Sequence, residues 1–162
     1  MSASRSQDLF NGVLETGMRS VVVLNEFSPM ELDREQLGLL DYFVVHSSQA
    51  GGPDDMHPTY KSSFTEYHVR RRRIDDGVKM LVRVRLIEVV ADPKRGVCFR
   101  AGDDAPGFVD LLNSPYNREL IDRARWLRSR HYEDPGFLAG LRQKIERWVV
   151  EFQQREAPGA AQ

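Results

Sequence analysis

Leu86-Ile87-Glu88-Val89-Val90-Ala91-Asp92-Pro93-Lys94-Arg95-Gly96-Val97-Cys98-Phe99-Arg100 is where the chain changes its hydrophobic period. Leu86–Val90 and Val97–Arg100 carry the β-branched and aromatic residues that strands favour. Residues 91–96 between them put Asp, Pro and Gly at turn positions. The stretch predicts an antiparallel hairpin, and what precedes it is helical. From about Thr65 to Arg83 the spacing sets Tyr67, Arg70 or Arg71, Ile74, Val78, Leu81 and Val82 on one face. His68, Arg72, Asp75, Asp76, Lys79 and Arg83 fall on the other. A glycine inside a helix costs about 1 kcal/mol relative to alanine. Gly77 therefore predicts the close approach of another helix.

Upstream, Phe10, Val13, Leu14, Gly17, Val21 and Leu24 recur at helical spacing over Asp8–Phe27, and Ser28-Pro29 ends that helix. Gly17 gives the same signal of close packing as Gly77. Asp33 and Gln36 then form a capping box for a helix through His46 that is apolar almost all round, the mark of a core element. Asp41 interrupts it. A buried carboxylate must be paired, and a guanidinium from the run Arg70-Arg71-Arg72-Arg73 is the expected partner.

Three helices followed by a hairpin is the order of a winged helix-turn-helix, with 66–83 in the recognition-helix place and 91–96 as the wing. Downstream, Asp103 or Asp104 caps a short helix with Phe108, Val109, Leu111 and Leu112. Ser114-Pro115 opens one through about Arg130 with Leu120, Ile121, Ala124 and Leu127 inward. Asp134-Pro135 opens a last one striped with Leu138, Leu141, Ile145, Trp148, Val149 and Phe152. The expected fold is mainly α with a small antiparallel β-hairpin: a winged helix-turn-helix core plus C-terminal helices. The division is a flexible lead (1–7), a winged-helix-like domain (8–132), an amphipathic helix (133–156) and a disordered tail (157–162).

Composition narrows the class. The chain has 162 residues, a formal net charge of −1 and one cysteine, Cys98. That charge sets up no whole-molecule field toward nucleic acid or a membrane. One cysteine excludes an internal disulfide framework. No run approaches the ~18 apolar residues of a membrane span, and Met1–Ser6 lacks the apolar core of a signal peptide. The expected location is the cytoplasm.

The segment 47–63 is long for a connection within a domain and carries glycines, prolines, two aspartates and a histidine. Together with the helix before it, Asp41, His46, Asp54, Asp55 and His57 are the residue types of an acid–base or metal site. Their spacings match no zinc or metalloprotease signature. No phosphate-binding loop or nucleophile elbow is present. The expectation is no catalytic residue, no metal and no cofactor, with the loop's path fixed by hydrogen bonds and turn geometry. Arg70, Arg72, Lys79 and Arg83, with Lys94 and Arg95 on the wing, are the candidate contacts to duplex DNA. Asp75 and Asp76 on much the same face oppose them. Trp148 and Phe152 are candidate contacts to a partner helix, and residues 136–153 the candidate surface of a homodimer.

Taken together, Leu9-Phe10-Asn11, Leu40-Asp41-Tyr42 with Val45-His46-Ser47, Gly51-Gly52-Pro53 and Met56-His57-Pro58 resemble the middle component of bacterial ABC-three-component systems, in its second class. Val69-Arg70-Arg71, Leu86-Ile87-Glu88 and Leu112-x-Ser114-Pro115-Tyr116 extend the resemblance over most of residues 8–132. It implies a small non-enzymatic adaptor that links an SMC- or Rad50-like ABC ATPase to an effector in defence against phage or other mobile DNA. It also implies a winged-helix core. Asp41, His46, Gly51, Gly52, Pro53, His57 and Pro58 would then be structural or partner-facing. The alternative is a winged-helix transcriptional regulator.

Overall fold

The computed structural model describes residues 12–59 and 62–157. The expectations for the flexible lead, the start of the first helix at Asp8–Asn11 and the tail beyond Ala157 lie outside them. Among the described residues there are six α-helices and three strands. They are α1 (Val13–Phe27), β1 (Leu32–Asp33), α2 (Arg34–Val45), α3 (Ser63–Arg83), β2 (Ile87–Asp92), β3 (Gly96–Ala101), α4 (Ala105–Asp110), α5 (Pro115–Glu133) and α6 (Phe137–Glu156), with one 3-10 turn at Ser47–Ala50. The fold is mainly helical with a small antiparallel sheet, as the sequence leads one to expect.

The hairpin forms where its turn chemistry puts it. Asp92 faces Gly96 across the turn, and its carboxylate accepts the backbone N–H groups of Lys94 and Arg95. The sheet gains a third strand that the sequence does not announce. Leu32 and Asp33, between α1 and α2, pair antiparallel with Phe99 and Cys98, giving the order β1-β3-β2. Two residues are too few to show a period of two, and Asp33 reads equally as the N-cap that it also is. Its side chain accepts from Gln36 N while the Gln36 side chain accepts from Asp33 N. A strand between the first two helices that joins the hairpin is compatible with the expected winged helix.

The core lies between α1, α2 and α3. Val21, Val22, Val23, Leu24, Leu37, Leu40, Phe43, Val44 and Val45 are fully buried, each such side chain contributing about 1.5–3 kcal/mol. Helices α1 and α3 cross at the two glycines noted in the sequence, and they meet each other. A Cβ on Gly17 would stand 2.9 Å from the carbonyl oxygen of Gly77, and one on Gly77 would stand 2.7 Å from the amide nitrogen of Gly17. Both contacts are shorter than packing allows, so any side chain there forces the helices apart.

One helix start differs from expectation. Asp134-Pro135 does not open the last helix. Asp134 closes a turn instead, its side chain accepting from Gly136 N, and α6 starts at Phe137. Helix α3 ends in a Schellman turn, with Leu86 N donating to Leu81 O and Arg85 N to Val82 O. Its left-handed residue is Arg85 at φ +62° rather than a glycine.

Candidate functional site

Helix α2 is buried from Leu37 to its end at Val45, so the loop after it starts from inside the protein. The loop folds straight back. Val45 O, one of the helix's terminal carbonyls, accepts from both Met56 N (2.9 Å) and His57 N (3.3 Å). Asp55 Oδ1 accepts from Ser48 N and Ser48 Oγ at 3.0 and 2.6 Å. Gln49 Oε1 accepts from Tyr42 Oη and Ser63 Oγ, and Lys144 of α6 donates to the Gln49 carbonyl. Gly51 adopts φ +81°, which a residue with a Cβ rarely reaches. Gly52 leaves room for a neighbour, because a Cβ there would lie 2.4 Å from the Trp126 ring of α5.

Under this loop runs a chain of buried charged and polar groups. Asp41 is fully buried, and its Oδ1 accepts from Arg19 Nε of α1 at 3.0 Å. Arg70 is the hub. Its Nε donates to Glu66 Oε1 (3.0 Å) and its Nη2 to His57 Nδ1 (2.6 Å). Its Nη1 lies 3.8 Å from Asp41 Oδ2, a charge pair beyond hydrogen-bonding distance. A guanidinium only donates, so His57 Nδ1 must be the lone-pair nitrogen and the proton sits on Nε2. That N–H faces Tyr116 Oη of α5 at 2.7 Å. Burial, followed by the nearby Arg70, Arg19 and His46, lowers the His57 pKa to about 2, so this imidazole is neutral.

The second imidazole is surrounded differently. His46 is fully buried with a carboxylate at each nitrogen, Nε2 2.6 Å from Glu66 Oε1 and Nδ1 3.2 Å from Asp55 Oδ2. Each of its ring nitrogens therefore faces a carboxylate oxygen of the protein. Burial pushes Glu66 up, but the hydrogen bond from His46 and the Arg70 charge hold it below the usual carboxylate range. Asp55 is likewise held low, its partial burial being outweighed by the bonds from Ser48 and His46.

A general base or nucleophile must present a lone pair to a reacting atom. Here each histidine of the pair is engaged at both nitrogens by protein groups. Among the described residues no three of His, Cys, Asp and Glu are placed to hold a metal. The network joins α1, α2, α3, α5 and the loop, and what it does physically is fix the loop's position.

Asp41, His46 and His57 lie inside; Pro53 is half-buried; Gly51, Asp54 and Pro58 are at the surface. Arg70 is 1% exposed and points into the network rather than outward. Arg72, Lys79, Arg83 and Lys94 are exposed, and Arg95 donates to the carbonyl of Glu31 and pairs with Asp92. Trp148 meets Tyr42 and Phe43 edge-on and tilted at 5.6 and 6.2 Å, and Phe152 stacks on Phe64 at 4.6 Å, so the inner stripe of α6 covers the core.

The sequence offers no direct sign of Arg19 or Glu66 as parts of this network, and Tyr116 enters there only through the family resemblance. Glu66 could have been found as the i,i+4 partner of Arg70. Arg19 stands beside the run Val21–Leu24, a charge among core residues that mirrors Asp41.

The sequence model of the family described as ABC-three component (ABC-3C) system Middle Component 2 matches residues 9–151. The chain belongs to that family. No curated protein and no solved structure matches it. As a middle component it is one part of a three-component system, and membership implies partner components. Among the described residues of this middle component, no helix is long and apolar enough to cross a membrane.

Proposed function

We propose that this middle component is a non-enzymatic adaptor that links an SMC- or Rad50-like ABC ATPase to an effector, docking through the loop at 47–59. The observation that supports it is the use made of the chemistry-bearing side chains. Asp41, His46, His57, Glu66 and Arg70 are spent on one another beneath the loop, and Gly51, Asp54 and Pro58 are held at the surface above them. A pre-ordered loop binds at a smaller entropic cost than a mobile one. The test is co-expression of the full chain with the ATPase and effector encoded beside it. Isolation of a stable complex containing all three is the expected result. A chain that stays monomeric beside both proteins contradicts the adaptor role.

A second reading is a winged-helix DNA-binding regulator. The position of β1 in the sheet and the exposure of Arg72, Lys79 and Arg83 favour it. Such a protein binds duplex DNA with an affinity that falls steeply with salt, and Arg72→Ala or Lys94→Ala each reduces the slope by about one. Absence of binding to a 20-base-pair duplex at low salt removes it. A homodimer through residues 136–153 would have to use the outward face of α6, because the inward stripe is already covered.

A further inference from the structure

The outward face of α3 is neither covered by another element nor purely basic. Val69, Met80 and Val84 are 42%, 40% and 58% exposed, and Arg72, Asp76, Lys79 and Arg83 are exposed beside them. At 100° per residue, Val69 and Met80 project within about 20° of each other, and Arg83, Arg72 and Lys79 follow along one flank with Asp76 between. Of the helix's other charges, Glu66 and Arg70 belong to the buried network, Asp75 forms a surface ion pair with Arg34, and Arg71 and Arg73 are half-buried.

Binding to the phosphate backbone depends on a local excess of cations. This face interrupts its cations with Asp76 and sets apolar side chains alongside them, which suits a duplex poorly. It suits a protein. Positions 69, 72, 76, 80 and 83 step by three and four residues, the stripe along which two helices pack. Val69 to Arg83 runs about 21 Å at 1.5 Å per residue, or some four helical turns. The cationic flank selects the sign of the partner.

We propose that this face docks an acidic amphipathic helix of a partner protein, the apolar side of that helix on Val69, Met80 and Val84 and its carboxylates on Arg72, Lys79 and Arg83. The surface is separate from the loop at 47–59, and the proposal does not depend on the adaptor role.

The test is fluorescence anisotropy on the full chain with a labelled, helix-stabilised 21-residue peptide carrying leucine at 3–4 spacing and glutamate on the flanks. The same peptide with lysine for glutamate and a 20-base-pair duplex serve as comparisons. Binding of the acidic peptide alone is expected. The double variant Arg72→Glu/Lys79→Glu should weaken it about tenfold or more, and Val69→Ser/Met80→Ser should weaken it without changing its salt dependence. All four positions are outside the core, and a thermal melt confirms that each variant folds. No binding of the acidic peptide up to about 1 mM, equal binding of the two peptides, or duplex binding that disappears in Arg72→Glu/Lys79→Glu overturns the proposal.

Discussion

At the scale of single residues, the chain keeps two buried imidazoles in different electrostatic settings, and the difference is measurable. His57 accepts from Arg70 and stays neutral down to about pH 2, while the same side chain in the unfolded chain takes a proton near 6.5. Between those values the unfolded state binds more protons at this position, so the His57 contribution lowers stability as the pH falls from about 6.5. The slope from His57 alone approaches about 1.4 kcal/mol per pH unit. Glu66 and Asp55 are held below the ordinary carboxylate values of 4.5 and 3.8, so what they contribute is present above those values and is lost as the pH falls further. Urea unfolding at pH 7, 6 and 5 checks this, and His57→Gln should flatten the curve in that interval. Arg70 is the costliest single change. Arg70→Met leaves Glu66 and Asp41 without a shared cation and should destabilise by about 3–5 kcal/mol. Arg70→Lys should recover little, because an ammonium cannot reach the carboxylate and the imidazole in two fixed directions.

At the scale of elements, the helix crossing at Gly17 and Gly77 is set by backbone contact. Gly77→Ala forces a methyl group onto the amide nitrogen of Gly17 and should lower the melting temperature markedly. Gly140→Ala is the matched control. It lies on the exposed side of α6 with open space around it and should stabilise by about 0.5–1 kcal/mol. Arg85 offers a second gain, since relieving a left-handed non-glycine residue in Arg85→Gly is worth about 1 kcal/mol. Much at this scale was legible in the sequence. Asp33 and Gln36 marked the start of α2, Ser114-Pro115 that of α5, and Gly17 and Gly77 each marked a close contact. That the two glycines meet was not legible, because periodicity identifies a buried face without naming what buries it. Strand β1 was hidden by its length. Asp134-Pro135 misled because the same dipeptide suits a turn as well as a helix start. Asp41 announced a cation, yet its hydrogen-bonded partner came from α1, where Arg19 had no local pattern to expose it.

For the whole molecule, the loop at 47–59 is ordered from below by a polar network and from the sides by Trp126 and Lys144, while its crown stays open. Such an arrangement suits the docking role proposed above, and the family places the chain among partner components. Hydrogen exchange on the full chain, with and without the ATPase and effector proposed as its partners, addresses this directly. Slowed exchange at the amides of residues 48–59 on adding the partners is the predicted result. Unchanged exchange across that loop in a complex that has demonstrably formed would contradict it.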